Sequence, residues 1–153
     1  MKLSAQEEYG LRCLLALGSL PEGRSMTIPE FAVREGISQP LAAKTLTCLR
    51  KLGYIKSTRG QLGGYILARP ATEIMLGAVM AELGGRLYSD EFCDRFTIND
   101  QACVHRGHCL LHGVYEKVQG AIDRALDGVS LAHILPAPEP MVRATSLASP
   151  RPQ

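Results

Sequence analysis

The run from Thr27 to Pro70, "TIPEFAVREGISQPLAAKTLTCLRKLGYIKSTRGQLGGYILARP", constrains the fold more than any other part of the chain. Thr27 is suited to cap a short helix with Pro29 in its first turn, where proline is tolerated, and Gly36 ends it. Ser38 then opens a second helix. Pro40 lies in its first turn, Leu41, Leu46, Leu49 and Leu52 recur along it, and Gly53 stops it. Two short helices joined by a glycine-containing turn form a helix-turn-helix pattern. "YIKSTR" and "GYILAR" follow as alternating strand-like segments around "GQLGG", which predicts a β-hairpin. Helix-turn-helix plus hairpin is the order of a winged helix. The expected fold class is therefore mainly α with a small β-hairpin.

Upstream, "LSAQEEYGLRCLLALGSL" predicts a helix capped by Ser4, with Glu7 three residues later as its capping-box partner. Downstream, "PATEIMLGAVMAELGG" predicts a helix from near Thr72 to Gly84-Gly85. Leu110, Val114, Val118, Ile122 and Leu126 recur at helical spacing, predicting an amphipathic helix of about five turns from near Cys109. A long helix beyond a small head must bury its apolar face, and a second copy of itself supplies the partner. "SLAHIL" reads as one more helical turn. The expected organisation is a winged-helix head over 1–84, a cysteine-bearing loop over 85–108, and a dimerisation helix with its short terminal helix over 109–135. A tail over 136–153, with five prolines, is expected to be disordered.

A net charge of +2 does not by itself argue for nucleic acid. Its placement does. Arg50, Lys51, Lys56, Arg59 and Arg69 fall in a stretch without an acidic residue. In a recognition helix opening at Ser38, the side chains expected to meet DNA are Ser38, Gln39, Lys44 and Thr45, with Arg50 near its end. Arg59 and Gln61 would sit at the wing tip, and Gly60, Gly63 and Gly64 would let that tip approach phosphate. No apolar run reaches membrane-spanning length, and "MKLSAQEEYG" lacks a signal core, so a cytoplasmic protein is expected. No nucleophile–base pair, phosphate-binding glycine loop or paired carboxylates suggests an enzyme.

Cysteines in a reducing compartment serve as thiols or metal ligands rather than disulfides. Cys13 and Cys48 lie among leucines and read as core. Cys93, Cys103 and Cys109 instead occupy a polar, irregular segment with gaps of nine and five residues. Zinc sites favour closely paired cysteines, which are missing here. The wide spacing suits an iron–sulfur cluster, and His112, three residues past Cys109, is one candidate for a fourth ligand. His105 and His108 read as solvated or as donors to ligands.

These features resemble the Rrf-type family of bacterial winged-helix regulators, which includes IscR, NsrR, RirA and CymR. The likeness covers nearly all of residues 1–135 and rests on "MKLS" with an acidic residue soon after, the "RG-x2-GGY-x-L-A-R" wing, and the three-cysteine segment before the long helix. The resemblance implies a homodimer on a palindromic operator. It also implies a 2Fe–2S or 4Fe–4S cluster on Cys93, Cys103 and Cys109. The fourth ligand it implies is either His112 or, preferred here, Glu8 from the partner subunit, with Glu7 an ordinary surface residue. The first cysteine gap is longer than in several members. Leu41 and Ala43 replace an aromatic residue and a glutamate common in the recognition helix, so operator preference does not transfer. A cluster-free regulator switched by cysteine oxidation or a protein partner is the alternative. A metal-stabilised or electron-transfer protein without a DNA role is the rival from another class.

Overall fold

The structure, a computed structural model, describes residues 4–58, 63–86, 88, 103, 105 and 108–136. The first helix, α1 (Ala5–Gly18), is capped as its sequence predicts: Ser4 and Glu7 exchange backbone and side-chain hydrogen bonds in a capping box. The next, α2 (Ile28–Glu35), carries a second such box between Thr27 and Glu30 and closes on Gly36, which adopts a left-handed conformation. Ser38 caps α3 (Gln39–Lys51), and Gly53 at φ 78° turns the chain out of it. Strands β1 (Ile55–Thr58) and β2 (Gly64–Leu67) pair antiparallel, with Ile55 opposite Leu67 and Thr58 opposite Gly64. A winged helix-turn-helix head is the result.

Its core is aliphatic. Leu14, Phe31, Leu46, Leu49, Ile55, Ile74, Val79 and Leu131 are fully buried, drawing on α1, α2, α3 and β1 and on the chain's later residues. The expected helix from Thr72 is divided. A 3-10 turn (Ala71–Glu73) gives way to extended backbone at Ile74 and Met75, and α4 (Leu76–Gly84) begins only after that. The interruption has a tertiary cause. Leu76 N–H donates to Val129 O at 2.9 Å, Leu131 N–H donates to Ile74 O at 2.8 Å, and Met75 bridges Ser130. These bonds dock the returning chain, including α6 (Leu131–Ile134), onto the head.

The long helix, α5, is shorter than the spacing predicts. It runs His112–Leu126, about four turns, and not from Cys109. Leu111 precedes it without a side-chain cap, and Cys109 O accepts from His112 N–H at 3.1 Å in the turn before it. Apolar side chains just before it and in its first half are exposed, namely Leu110 (at 95%), Leu111, Val114 and Val118, whereas Leu126 packs against the core. The expected tail lies, from residue 137 on, outside the described residues.

Candidate functional site

The exposed surface of α3 offers Gln39, Lys44, Arg50 and Lys51, and the helix contains no acidic residue. Ser38 is exposed, but its hydroxyl is committed to the helix end, accepting from Leu41 N–H at 3.4 Å. Thr45 is a correction. It is buried at 5% exposure, and its hydroxyl donates to Leu41 O at 3.0 Å. It shares the inward stripe of Ala42, Leu46 and Leu49. Helical spacing places it three residues from Ala42 and beside Leu46, a signal that its polar side chain obscured.

Two expectations for the wing change. Gly64 is a buried strand residue, and its backbone is not in the left-handed region. Its missing Cβ serves the protein's own packing, since a Cβ there would lie 2.9 Å from Met26 O and 3.0 Å from Met26 C. Thr58 Oγ1 accepts from Gly64 N–H at 3.1 Å and fastens the hairpin end. Arg69 is engaged within the head, with its guanidinium 4.9 Å over the Tyr54 ring. Burial, with Glu82 hydrogen-bonded nearby, pushes the Tyr54 hydroxyl up to about 12. Arg59, Gln61 and Gly60 lie outside the described residues.

The cysteines divide into two sets. Cys13 is sealed in the core, and burial reinforced by the Glu35 charge pushes its thiol far above the ordinary range. Cys48 is half-buried against the core, where its sulfur accepts from Gln6 Nε2 at 3.5 Å. Cys103 and Cys109 are half-buried thiols outside any disulfide, ahead of α5. Cys93 lies outside the described residues, and among those described no three His, Cys, Asp or Glu side chains converge as a metal site.

The two candidate fourth ligands differ in availability. Both ring nitrogens of His112 are engaged: Nδ1 with the Tyr88 hydroxyl, and Nε2 with Glu116 Oε1 at 3.0 Å. Glu8 stands on the first turn of α1, partly exposed, and its carboxylate pairs with Arg12 one turn on at 2.8 Å. An exposed pair of this kind is worth about 0–1 kcal/mol, so its carboxylate can be exchanged at small cost. Glu7 is not an ordinary surface residue. Its carboxylate closes the α1 capping box and lies over Gly84, leaving no space there for a Cβ. His105 and His108 are exposed in a turn, with His108 N–H donating to His105 O at 3.0 Å.

The Rrf2 family, described as iron-dependent transcriptional regulators, matches residues 3–137. The chain belongs to the Rrf2 family. It is 36% identical over 135 residues to the HTH-type transcriptional regulator NsrR of Geobacillus kaustophilus, covering 88% of this chain and 90% of that one. Among solved structures, T. potens IscR is 30% identical with a TM-score of 0.66, covering 86% of this chain and 84% of that one. CymR, the global cysteine regulator of B. subtilis, shares the fold at 23% identity and a TM-score of 0.65, covering 86% of this chain and 94% of its own. The chain is thus an Rrf2 transcriptional regulator, and its relatives' shared role points away from an enzyme. Among the described residues, no helix is long and apolar enough to cross a membrane.

Proposed function

We propose that this Rrf2 protein is a homodimer that binds a palindromic double-stranded operator with an affinity set by an iron–sulfur cluster. Cys93, Cys103 and Cys109 would hold the cluster with Glu8 of the partner subunit. The observation that carries the choice of ligands is the contrast at the fourth position. His112 is occupied at both ring nitrogens, while the Glu8 carboxylate is held by an exposed salt bridge to Arg12. The chemistry of the donor set fits, since thiolates are the ordinary ligands of such clusters. When bound, the cluster would supply a centre responsive to redox state, iron supply or nitric oxide.

The head would meet DNA through Gln39 and Lys44 on α3, with Ser38 at its cap, Arg50 at its end, and Arg59 and Gln61 on the wing. The exposed Leu110, Leu111, Val114 and Val118, at the start of α5 and just before it, support the dimer, because an apolar patch of that kind is costly to leave in water. Coupling would run through α1. Glu8 and Gln6 share its first turns, and Gln6 reaches Cys48 on α3. A tug on Glu8 is thereby felt by the recognition helix. A coupling of about 1–3 kcal/mol is enough for a five- to hundredfold change in affinity.

Anaerobic purification with iron and acid-labile sulfide quantified tests the reading. Near-stoichiometric iron and sulfide, reduced by Glu8→Ala more than by His112→Ala, is the expected result. No iron or sulfide even after reconstitution would leave a regulator controlled by its thiols or by a protein partner.

A further inference from the structure

Two side chains of α5 and two residues beyond α4 are joined in one run of hydrogen bonds. The Tyr88 backbone N–H donates to Gln119 Oε1 at 3.2 Å, Gln119 Nε2 donates to Asp123 Oδ1 at 2.9 Å, and Asp123 Oδ2 pairs with Arg86. Gln119 is the buried residue of α5, at 7% exposure. The Tyr88 ring is also buried and stacks on Tyr115, with centroids 5.8 Å apart. Tyr115, Gln119 and Asp123 follow one another at helical spacing, so a single stripe of α5 is gripped. Leu111, Val114, Val118, Ala121 and Ala125 form a second stripe, apolar and exposed. At 3.6 residues per turn the two stripes are centred about 120° apart. Apolar packing is non-directional and tolerates rotation of a helix about its axis. A buried amide bonded at both ends does not, because a slip of one residue turns it about 100° from its partners.

The C-terminal end of α5 is rooted separately. A Cβ at Gly77 on α4 would stand 3.4 Å from Leu126 Cβ, and just beyond the helix Val129 and Leu131 bond to Leu76 and Ile74. From that root to Leu111 is about 22 Å, so a tilt of about 10° moves the apolar stripe's far end by about 4 Å. That exceeds the rise of one base pair, about 3.4 Å. We propose that Gln119, with the Arg86–Asp123 pair, is a positioning residue that sets the roll and tilt of α5 on the head, and thereby the half-site spacing that the homodimer selects. The inference rests on the reading above that two copies pair through the apolar side chains of α5 and read a palindrome. In such a dimer the head is carried at the root of α5 and the partner is met along its apolar stripe, so the grip on α5 sets the distance between heads.

The test uses the full chain, with all proteins handled anaerobically at one salt concentration. The DNA is the palindrome that the parent selects, its centre lengthened or shortened by one and two base pairs, beside a single half-site. Gln119→Leu removes the amide at similar volume. Asp123→Ala cuts the same run at an exposed position, where the fold does not depend on it. The parent is expected to prefer one spacing at least tenfold over its neighbours. Both variants should remain dimeric in sedimentation velocity and bind the single half-site within twofold of the parent, while their spacing preference falls below threefold. Dimeric variants that keep the parent's preference overturn the proposal. A parent that is monomeric or indifferent to spacing defeats the palindrome reading instead. The grip on α5 is then judged within one chain, from the distance distribution between spin labels on unnatural amino acids at Lys117 and Glu22, both exposed. A distribution broadened in both variants keeps the positioning role, and an unchanged one ends it.

Discussion

Gly64→Ala should destabilise the head through one identifiable collision. The new Cβ would meet Ser25 Oγ at 2.8 Å, Met26 O at 2.9 Å and Met26 C at 3.0 Å. The serine side chain can rotate away, but the Met26 backbone cannot. It exchanges two hydrogen bonds with Tyr65, from Met26 N–H to Tyr65 O at 3.1 Å and from Tyr65 N–H to Met26 O at 2.8 Å, and its side chain is buried in the core. Relief requires opening that bridge or shifting the hairpin. Overpacking costs ~1–3 kcal/mol, and each weakened hydrogen bond adds about 1 kcal/mol, so a net loss of about 2–3 kcal/mol is expected. For a chain of this size that lowers the thermal midpoint by roughly 5–10 °C. Circular dichroism melting and a urea titration read the change, with the urea midpoint falling at constant slope. Because Gly64 roots the wing, DNA binding measured well below the midpoint should weaken too. A midpoint within about 1 °C of wild type would refute the packing reasoning.

Other outcomes follow from the same geometry. Lys44→Ala and Arg50→Ala should each reduce the slope of log affinity against log salt by about one, uniformly across DNA sequences, as titrations at several salt concentrations would reveal. In the folded, metal-free protein Cys103 and Cys109 should be alkylated at pH 8 long before Cys13, whose thiol is buried and pushed up by burial and Glu35; peptide mapping over time checks the order. Thr27 holds the Glu30 carboxyl below its usual range, first through its backbone N–H and then its hydroxyl, with Arg24 adding charge. A depressed carboxylate contributes its stability above the unfolded pKa and loses it as pH falls through the folded one. The amides at the start of α2 should therefore lose protection, measured against their intrinsic exchange rates, as pH falls below the ordinary glutamate range, and Glu30→Gln should flatten that dependence.

Local chemistry made the head legible in the sequence. Ser4, Thr27 and Ser38 cap their helices because a hydroxyl or carboxylate must satisfy the first backbone N–H groups, and that need is written within four residues. Gly36 and Gly53 mark helix ends for an equally local reason, their left-handed backbone. What the sequence hid was tertiary. Ile74 and Met75 belong to a helix by pattern, but Val129 to Leu131, more than fifty residues away, draw them into extended pairing. Gly64 resembles a flexible tip until Met26 is known to lie against it. Thr45 was misplaced by its polarity, although its spacing from Ala42 points inward. At the candidate cluster site, spacing nominated His112, and the family resemblance nominated Glu8. Only Tyr88 and Glu116, packed around the imidazole, separate the two.

Operator affinity of a single anaerobic preparation, before and after iron is removed by a chelator at fixed salt, tests the central claim most directly. The operator would first be selected from genomic fragments by the protein itself. The account predicts a loaded sample with near-stoichiometric iron and sulfide whose dissociation constant changes at least five- to tenfold on iron removal, the lower part of the range expected for coupled sites. Equal affinity before and after removal, with the protein still folded and dimeric, would contradict it.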